Sequence, residues 1–405
     1  MQEYPRYLYR APFVVTGTGP VLVDGAVLTE EGVVTAVGPF AELRGADAKL
    51  EEYDGHVIVP GLVNGHAHLE LSHLADLSRE GQGTPPADMT VWIRELLAAR
   101  ALAQDEAEND LAARLALARL YAGGCRAVLD IGNLPESRFI GEDFKTQVYF
   151  HLELFGLSGE VEQAALDSLR AQPADICCTA HAPYSSGPAL IRAAKERARG
   201  QGAPFPIHVA ESAAEDAFLR TGGGPFADFL QEKGLMGDAF AVPGCGAVSY
   251  LDALGVLDEK TLCVHGVHVS DAEIAILARR GAAVCLCPGS NRFLGVGTAP
   301  LARYLAAGVP LLLGTDSLAS NPELSLWREM QLLRQEHPEV DPAAVFAMAT
   351  ENGGRFLGLG HRLGVIAPGV GASSLLAVRC AAQSVEAMFA KLTTVGSEVR
   401  LEWLE

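Results

Sequence analysis

The feature that most constrains the fold of this chain is a regular alternation of short apolar runs and amphipathic segments. Amphipathic segments such as 107–122 and 191–199 predict helices between the apolar runs. A chain that alternates strands and helices buries a parallel sheet under helices. Eight such units predict an α/β fold of the (β/α)8, TIM-barrel type over residues 57–363. The eight predicted strands lie near residues 57–63, 125–131, 147–155, 175–181, 205–210, 261–267, 282–287 and 309–315.

The two ends of the chain lack this alternation. Residues 1–56 and 364–405 contain short β-like pieces separated by glycines, such as 32–38 and 374–378. Neither end alone is long enough for a stable sheet core. We therefore predict a second, small β-sandwich domain that both ends build together beside the barrel.

Composition excludes several classes of partner. The chain carries 31 basic and 50 acidic residues, a formal net charge of −19, without a run rich in Lys or Arg. Nucleic acid and anionic membranes both attract basic surfaces, so neither is an expected partner. No apolar run approaches the ~18–20 residues of a membrane helix, and the first residues show no secretory signal. The eight cysteines fit buried thiols in a reducing compartment. We expect a cytoplasmic protein that acts on a small molecule, with a homodimer as its candidate assembly.

The strand that opens the predicted barrel leads into two histidines. His66 and His68 are separated by one residue, and side chains two apart in a strand point to the same face. Two imidazoles side by side suit a divalent metal such as zinc. The competing interpretation is a pair of polar side chains that close a strand at a turn, and the rest of the chain weakens it.

Metal-capable and acid–base groups follow several other predicted strands. In a barrel, catalytic side chains lie at the carboxyl ends of the strands, so these groups meet at one mouth. Three imidazole nitrogens and one carboxylate oxygen make a good zinc site with a position left for water. Glu211 is placed to act as an acid or base, and His265 to hydrogen-bond the attacking water. The predicted metal ligands are His66, His68, His208 and Asp316.

Six motifs at the predicted strand ends carry a family resemblance. They are Pro-Gly-Leu-Val-Asn-Gly-His-Ala-His (60–68), His-Ala-Pro-Tyr-Ser (181–185), His-Val-Ala-Glu (208–211), Val-His-Gly-Val-His (264–268), Cys-Pro-Gly-Ser-Asn (287–291) and Gly-Thr-Asp-Ser (314–317). With them the chain resembles the amidohydrolase superfamily over nearly its whole length. Within it, the chain resembles the branch of S-adenosylhomocysteine and adenosine deaminases, guanine deaminases and triazine chlorohydrolases. The resemblance implies the same four metal ligands. It also implies catalytic roles for Glu211, His265 and Asp316, and contact of His181 with substrate.

The resemblance also bears on the number of metal ions. Many members hold two metals bridged by a carboxylated lysine at the end of strand four. This chain has Thr179, Ala180 and His181 there, and Lys145 precedes strand three on the wrong side. We therefore expect one metal ion, zinc, with iron and manganese as alternatives.

Departures from the family pattern bear on the substrate. Relatives that act on nucleosides often carry an acid near a lid tryptophan, where this chain has Val91 beside Trp92. They also often carry an Arg after strand three, where this chain has the run 151–158. The strand-three departures are similar to 6-aminodeoxyfutalosine deaminases of menaquinone biosynthesis, whose substrate ends in a benzoate. The expected substrate contacts are His181, Trp92, Glu153, Ser158 and Asn291, with Ser158 or a main-chain amide at the benzoate carboxylate.

Segment 79–92, rich in Gly and Pro, follows the first barrel strand, where active-site lids belong. We expect it to select the 5′ substituent of the substrate. Trp92 in this segment is either a stacking surface for substrate or a core anchor for the helix that starts near Thr90.

The sequence thus predicts a metal-dependent hydrolytic deaminase of an aminopurine nucleoside, with 6-aminodeoxyfutalosine as the favoured substrate. Alternatives in the same branch are a deaminase of S-adenosylhomocysteine or guanine, and a chlorohydrolase or amidase of a triazine or cyclic amide-like ring. An alternative of another class is a metal-free scaffold on the same fold. Release of ammonia, chloride or a new carboxylate separates the enzymes, and metal analysis separates the scaffold.

Overall fold

The computed structural model describes residues 6–78, 88–103, 105–141, 144–237 and 240–404. Apolar runs form most of its strands. In chain order the strands are β1 (Arg6–Val14), β2 (Leu22–Glu30), β3 (Val33–Pro39), β4 (Lys49–Glu52), β5 (His56–Pro60), β6 (Leu62–Ala67), β7 (Cys125–Gly132), β8 (Gln147–Leu154), β9 (Cys178–Ala180), β10 (Phe205–Val209), β11 (Thr261–His265), β12 (Ala283–Leu286), β13 (Leu311–Leu313), β14 (Leu375–Arg379) and β15 (Leu401–Trp403).

Helices follow most of the central strands. In chain order they are α1 (Phe40–Leu43), α2 (Met89–Leu102), α3 (Glu106–Ala122), α4 (Gly159–Ala171), α5 (Pro188–Gln201), α6 (Ala213–Thr221), α7 (Pro225–Glu232), α8 (Ala247–Leu254), α9 (Asp271–Arg280), α10 (Pro288–Leu294), α11 (Leu301–Ala307), α12 (Leu326–Glu336), α13 (Pro342–Met348), α14 (Glu351–Phe356) and α15 (Val385–Leu392). Short 3₁₀ segments cover Leu69–Leu77, Pro135–Phe139, Ala372–Ser374 and Gly396–Glu398. Polar caps begin several helices, and Ser270 forms a capping box with Glu273 at α9.

Strands from both ends of the chain share one sheet. Its order is β15–β14–β5–β1–β2–β3, and β4 pairs with β1. β1 and β2 pair antiparallel with Leu8 opposite Leu28, while β14 from the C-terminal end pairs antiparallel with β5. An apolar cluster that includes Val14, Ile58 and Leu375 contains side chains from β1, β5 and β14. The arrangement of these strands as a separate β-sandwich domain stays a prediction.

Two parallel four-stranded sheets position the candidate site. Their orders are β6–β7–β8–β9 and β10–β11–β12–β13. The sheets approach each other at both edges, where the N–H of His208 donates to the carbonyl of His181 at 2.9 Å and that of Thr315 to the carbonyl of His66 at 3.0 Å. Side chains of both sheets share one apolar cluster, which includes Leu129, Ile131, Leu262, Val264, Cys285 and Leu312. The carboxyl ends of both sheets therefore meet in one region.

Seven of the eight predicted strands lie where expected, and the first divides in two. The run predicted over 57–63 forms β5, which pairs in the terminal sheet, and β6, which opens a parallel sheet. The chain crosses between the sheets at Gly61, where an added Cβ would lie 2.8 Å from the Cβ of Arg126. Only glycine permits so close an approach. The prediction of a single strand over 57–63 was therefore wrong, because apolar periodicity does not reveal which sheet a strand joins.

Other predictions of local structure are confirmed. The helices predicted over 107–122 and 191–199 lie within α3 and α5. All eight cysteines are unpaired thiols, and six of them are buried. Across the described ranges, no helix is both long enough and apolar enough to cross a membrane.

Most of the predicted lid, residues 79–87, lies outside the described residues.

Candidate metal centre and active site

Three histidines converge where β6 and β10 end. His66 lies on β6, His68 follows that strand directly, and His208 lies on β10. The Nε2 atoms of His68 and His208 are 3.3 Å apart, and a ring nitrogen of each histidine lies within 4.8 Å of a nitrogen of the other two. All three side chains are buried. Buried imidazoles from different strands that meet at one point form a metal-ligand cluster rather than a polar turn.

Asp316 brings a carboxylate to the same point. Its Oδ1 lies 3.5 Å from Nε2 of His66 and 3.7 Å from Nε2 of His68. Its Oδ2 accepts hydrogen bonds from the hydroxyls of Ser290 at 2.6 Å and Ser320 at 2.9 Å. The two serines therefore hold one oxygen and leave the other facing the imidazoles. The structure thus brings together all four residues that the sequence predicts as metal ligands.

The protonation states of these groups fit a cation at their centre. Burial lowers the pKa of His68 to about 3 and that of His208 well below its usual value, so both rings are neutral near pH 7. Nδ1 of His208 donates to the carbonyl of His181 at 3.1 Å, which leaves a lone pair on its Nε2. Both ring nitrogens of His66 are buried without a hydrogen-bond partner among the described residues. Buried polar atoms left unpaired in this way cost free energy, and a bound cation would satisfy the nitrogen that carries the lone pair.

The spacing of the nitrogens also fits zinc. Two nitrogens bound to one zinc ion at ~2.05 Å in tetrahedral geometry are about 3.3 Å apart. This is the separation between the Nε2 atoms of His68 and His208. Three nitrogens and one oxygen form a donor set that zinc and similar divalent ions bind well.

Three residues at the strand ends adopt left-handed backbone conformations, which are uncommon for residues other than glycine. The φ angles are 53° at Ala210, 74° at His265 and 57° at Asp316. Such conformations cost ~1–3 kcal/mol each and cluster at functional sites. The backbone therefore turns sharply at the three strand ends that carry Glu211, His265 and Asp316.

Glu211 is a buried acid beside the centre. It is 2% exposed, and its Oε1 lies 3.4 Å from Nε2 of His265. Burial, together with the charges of Asp316 and Glu215, raises its pKa well above the usual value. Glu215 accepts hydrogen bonds from the backbone N–H groups of Ala210 at 3.0 Å and Glu211 at 2.8 Å, which holds this turn. Burial therefore favours the protonated form of the Glu211 carboxyl, which is the form that can donate a proton.

Asn291 orients His265. Nδ1 of His265 donates to Oδ1 of Asn291 at 2.9 Å, which leaves its Nε2 facing Glu211. Burial lowers the pKa of His265 to about 4, so the ring is a neutral hydrogen-bonding group near pH 7. The sequence predicts Asn291 as a substrate contact, and the structure gives it His265 as a partner. A direct contact of Asn291 with substrate stays a prediction.

His181 and Glu153 adjoin His208. The ring centroids of His181 and His208 are 4.9 Å apart, and Oε1 of Glu153 lies 3.6 Å from Nδ1 of His208. That oxygen is buried without a hydrogen-bond partner among the described residues, and burial raises the pKa of Glu153 to about 8. Both residues therefore lie beside the ligand cluster, and their contact with substrate stays a prediction.

Trp92 and Ser158, the other predicted substrate contacts, are engaged elsewhere. Trp92 is 9% exposed in an apolar cluster with Leu71 and Leu294, and its indole N–H donates to the carbonyl of Ala319 at 3.2 Å. This packing favours the core-anchor interpretation of Trp92. Ser158 is buried at the start of α4, and its hydroxyl accepts from the N–H of Gly237 at 3.0 Å. A role for either residue in substrate binding stays a prediction.

Sequence reasoning missed a polar network beside the site. Glu70, 7% exposed, pairs with Arg100 at 3.0 Å and accepts from the backbone N–H of Asn133 at 2.8 Å. Arg100 donates to Oδ1 of Asn133 at 2.8 Å, and Nδ2 of Asn133 donates to Oε2 of Glu153 at 3.2 Å. The sequence did contain one signal of this network. Glu70 lies among the leucines of segment 69–74, and an acid buried with them requires a partner. Ser290 was also missed as a partner of Asp316, although it lies in a recognised motif.

Comparison with known proteins gives consistent results. A sequence model of the amidohydrolase family matches residues 57–384. The chain is 34% identical to the aminodeoxyfutalosine deaminase of Deinococcus radiodurans over 362 residues. This match covers 85% of this chain and 84% of that protein. The chain is also 30% identical to a 5-methylthioadenosine/S-adenosylhomocysteine deaminase of Nitratidesulfovibrio vulgaris over 365 residues. This match covers 83% of this chain and 75% of that protein.

Solved structures share the fold. The aminofutalosine deaminase of Helicobacter pylori, in complex with methylthio-coformycin, matches with a TM-score of 0.81 at 21% identity over 97% of each chain. A zinc-bound adenosine deaminase of Xanthomonas campestris matches with a TM-score of 0.74 at 24% identity, over 96% of this chain and 88% of that one. At these identities the likeness is one of fold.

Proposed function

The chain belongs to the amidohydrolase family, a hydrolase of carbon–nitrogen bonds, and we propose that it is a metal-dependent deaminase of adenosine-like nucleosides. The favoured substrate is 6-aminodeoxyfutalosine, an intermediate of menaquinone biosynthesis. The observation that carries the proposal is the buried centre where neutral histidine nitrogens face Oδ1 of Asp316. Beside His265 lies Glu211, whose pKa burial raises well above its usual value. A cation site next to a proton donor is what hydrolytic removal of an amino group requires.

The ligands would hold a single divalent ion. The unpartnered nitrogens of His66 and the 3.3 Å separation of the His68 and His208 nitrogens support zinc. The end of β9 carries His181 and no lysine, which supports one ion rather than a bridged pair. When bound, the ion supplies Lewis acidity that lowers the pKa of a coordinated water toward neutrality. The proposed ligands are His66, His68, His208 and Asp316.

The chain's own groups would move the protons. Asp316 accepts a proton from the attacking water, and Glu211 donates a proton to the ring nitrogen beside the carbon that bears the amino group. His265, held by Asn291, hydrogen-bonds the attacking oxygen. The new carbon–oxygen bond makes that carbon tetrahedral. Asp316 then passes its proton to the amino group, and the proton of the new hydroxyl returns to Glu211. Cleavage of the carbon–nitrogen bond releases ammonia and leaves an oxo-purine.

Similarity and one local feature support the substrate. The Deinococcus relative carries the name aminodeoxyfutalosine deaminase, and the run 151–158 lacks the Arg that nucleoside deaminases of the branch often carry after strand three. A deaminase of 5-methylthioadenosine or S-adenosylhomocysteine is the second candidate, because another relative carries that name.

The architecture of the chain follows the same proposal. We propose that β6–β13 close into a (β/α)8 barrel within residues 57–363. The hydrogen bonds at both sheet edges and the shared apolar cluster support closure. Residues 1–56 and 364–405 would form the small β-sandwich domain, and the pairing of β14 with β5 supports their joint construction. The crossing at Gly61 supports a boundary a few residues later than residue 57.

Ammonia release by the purified, metal-loaded protein tests the function. We expect a higher kcat/KM for 6-aminodeoxyfutalosine than for adenosine, 5-methylthioadenosine or S-adenosylhomocysteine. A higher value for either sulfur nucleoside would move the substrate to the second candidate and keep the deaminase. Protein with Glu211→Gln, loaded to the same metal content, controls for a contaminating deaminase. Chloride release from a chlorotriazine without ammonia release from any nucleoside would contradict the proposal.

A further inference from the structure

The edge of the site at β7 and β8 carries groups that the deamination chemistry does not use. These strands pair in parallel with Gly132 opposite Leu152, so the segments that follow them lie side by side. Asn133 follows β7, and its Nδ2 lies 3.4 Å from the carbonyl oxygen of Glu153 near the end of β8. Phe155 directly follows the last residue of β8. Phe155 and the hydrogen-bonded group around Asn133 therefore lie where part of a bound substrate would extend out of the centre.

Phe155 is an exposed aromatic side chain beside the site. It is 46% exposed, and its ring centroid lies 4.6 Å from that of His181. Leu134, on the neighbouring segment, is 52% exposed. Large apolar side chains exposed together are typical of a binding surface rather than of the core. A flat apolar group that leaves the centre past His181 can pack on Phe155.

Arg100 places a fixed cation at the same edge. Glu70 and Asn133 orient its guanidinium at 3.0 and 2.8 Å, and 35% of its side chain is exposed. A guanidinium carries five N–H groups, and these two residues are its hydrogen-bond partners in the part of the chain that the structure describes. Glu70 also accepts from the backbone N–H groups of Asn133 and Leu134, so its charge is shared among several donors. Arg100 can therefore bind a further carboxylate without losing its position.

Glu153 lies between Arg100 and the centre. Its Oε2 accepts from Asn133 at 3.2 Å, and its Oε1 lies 3.6 Å from Nδ1 of His208. Oε1 has no hydrogen-bond partner among the described residues, although the side chain is only 4% exposed. A buried oxygen of this kind requires a hydrogen-bond partner, and a sugar hydroxyl, which can donate or accept, is one. The contacts thus run outward from His208 through Glu153 and Asn133 to Arg100.

We propose that Arg100 and Phe155 form a subsite for a 5′ substituent that is a flat apolar group ending in a carboxylate, with Glu153 on the sugar. The inference rests on the proposed function, because it assumes a nucleoside at the centre. It makes the substrate class a nucleoside joined to an aromatic acid, as in 6-aminodeoxyfutalosine. A methylthio group offers no charge to Arg100. A homocysteine tail carries a carboxylate beside an ammonium group, but it has no flat apolar group to pack on Phe155.

Two arginines on α2 provide the test and its control. In Arg100→Gln the cation of the subsite is lost. In Arg94→Gln an equally exposed arginine, paired with Glu232 at 2.8 Å, is lost from the same helix. The readout is the ratio of kcat/KM for 6-aminodeoxyfutalosine to kcat/KM for 5-methylthioadenosine. We expect Arg100→Gln to lower this ratio about 30-fold, as expected for a lost charge-assisted hydrogen bond, and Arg94→Gln to leave it unchanged.

A second variant keeps the test decisive if Arg100→Gln does not fold. Phe155 is exposed, so Phe155→Ala should fold, and we expect it to lower the same ratio at least fivefold. A ratio within twofold of the unmutated value in both variants would overturn the subsite, even if both substrates reacted more slowly. Ammonia release with an unchanged ratio refutes the subsite alone. No ammonia release from either nucleoside by unmutated, metal-loaded protein refutes the proposed function and the subsite together.

Discussion

At the scale of single residues, two buried acids beside the same imidazoles differ in their environments. Glu211 faces His265, and burial raises its pKa well above the usual value. Asp316 instead receives two serine hydroxyls on Oδ2, and hydrogen bonds to a carboxylate favour its charged form. The environment of Glu211 thus favours its protonated form, and that of Asp316 its ionised form. Such a difference suits the proposed roles of Glu211 as proton donor and Asp316 as proton acceptor.

Glu211→Gln is expected to keep the metal and lose the chemistry. The amide matches the carboxyl in size but cannot transfer a proton at neutral pH, and positioned acid–base groups contribute ~10²–10⁴ in rate. The measurement is kcat together with metal content per chain by elemental analysis. Near-normal turnover by metal-loaded Glu211→Gln protein would show that another group donates the proton.

Ser290→Ala is expected to weaken metal retention about tenfold, because partners of metal ligands typically contribute 10–100-fold in affinity. The substitution removes the 2.6 Å hydrogen bond to Oδ2 of Asp316. The measurement is competition between the protein and a chelator of known affinity. Ser72→Ala is the matched control, since the buried hydroxyl of Ser72 has no hydrogen-bond partner among the described residues. Equal metal affinity in both variants would mean that Ser290 does not support the ligand.

The candidate ligands were predictable from the sequence, and their supporting residues were not. His66, His208 and Asp316 lie at or just beyond the ends of apolar runs, and parallel strands bring such ends together. The partners of Arg100, in contrast, are Asn133 and Glu70, which lie 30 or more positions away along the chain. No local pattern marks such a pairing, because it depends on how α2 packs against the 3₁₀ segment Leu69–Leu77 and the segment that follows β7.

At the scale of elements, a side chain of α12 is hydrogen-bonded to two segments that carry or adjoin site residues. Glu329 on α12 accepts from the backbone N–H of Gly289 at 2.7 Å and from Nδ2 of Asn321 at 2.6 Å. Asn321 also donates to the carbonyl of Thr315 at 2.8 Å, next to Asp316. Glu329 therefore links α10, which carries Ser290 and Asn291, to the segment after β13 that carries Asp316.

Gly289→Ala is expected to disturb this link. An added Cβ would lie 2.5 Å from Nδ2 of Asn321 and closer still to Oε1 of Glu329, so both side chains must shift. Overpacking of this kind costs about 1–3 kcal/mol in the free energy of unfolding. Chemical denaturation measures the change. Gly200→Ala, where an added Cβ meets nothing within 4 Å, is the control, and a loss at Gly289 no larger than at Gly200 would contradict the role of Glu329.

Strand positions were predictable because strands buried on both faces form continuous apolar runs. Seven of the predicted runs needed only this rule. The division at Gly61 was not predictable, since Val57–Val59 and Leu62–Val63 are equally apolar and differ only in the partners they pair with. Pairing partners lie far away along the chain, so the rule carries no information about them.

At the scale of the whole molecule, the terminal sheet fastens both chain ends to the strand that carries the first ligand. β14 pairs with β5, and β5 continues through Gly61 into β6, which carries His66. The N–H of Gly61 donates to the carbonyl of Ser374 at 2.8 Å. The terminal sheet, which contains strands from both ends of the chain, is thus continuous through Gly61 with the strand that carries His66.

The central claim is that one divalent ion held by the three histidines and Asp316 is required for deamination. Zinc titration of chelator-treated protein tests it most directly, with bound zinc per chain and ammonia release from 6-aminodeoxyfutalosine measured in the same samples. We expect no turnover in metal-free protein, and turnover that rises with bound zinc and reaches its maximum at one ion per chain. Full turnover in metal-free protein, or turnover that appears only when a second ion binds, would contradict the account.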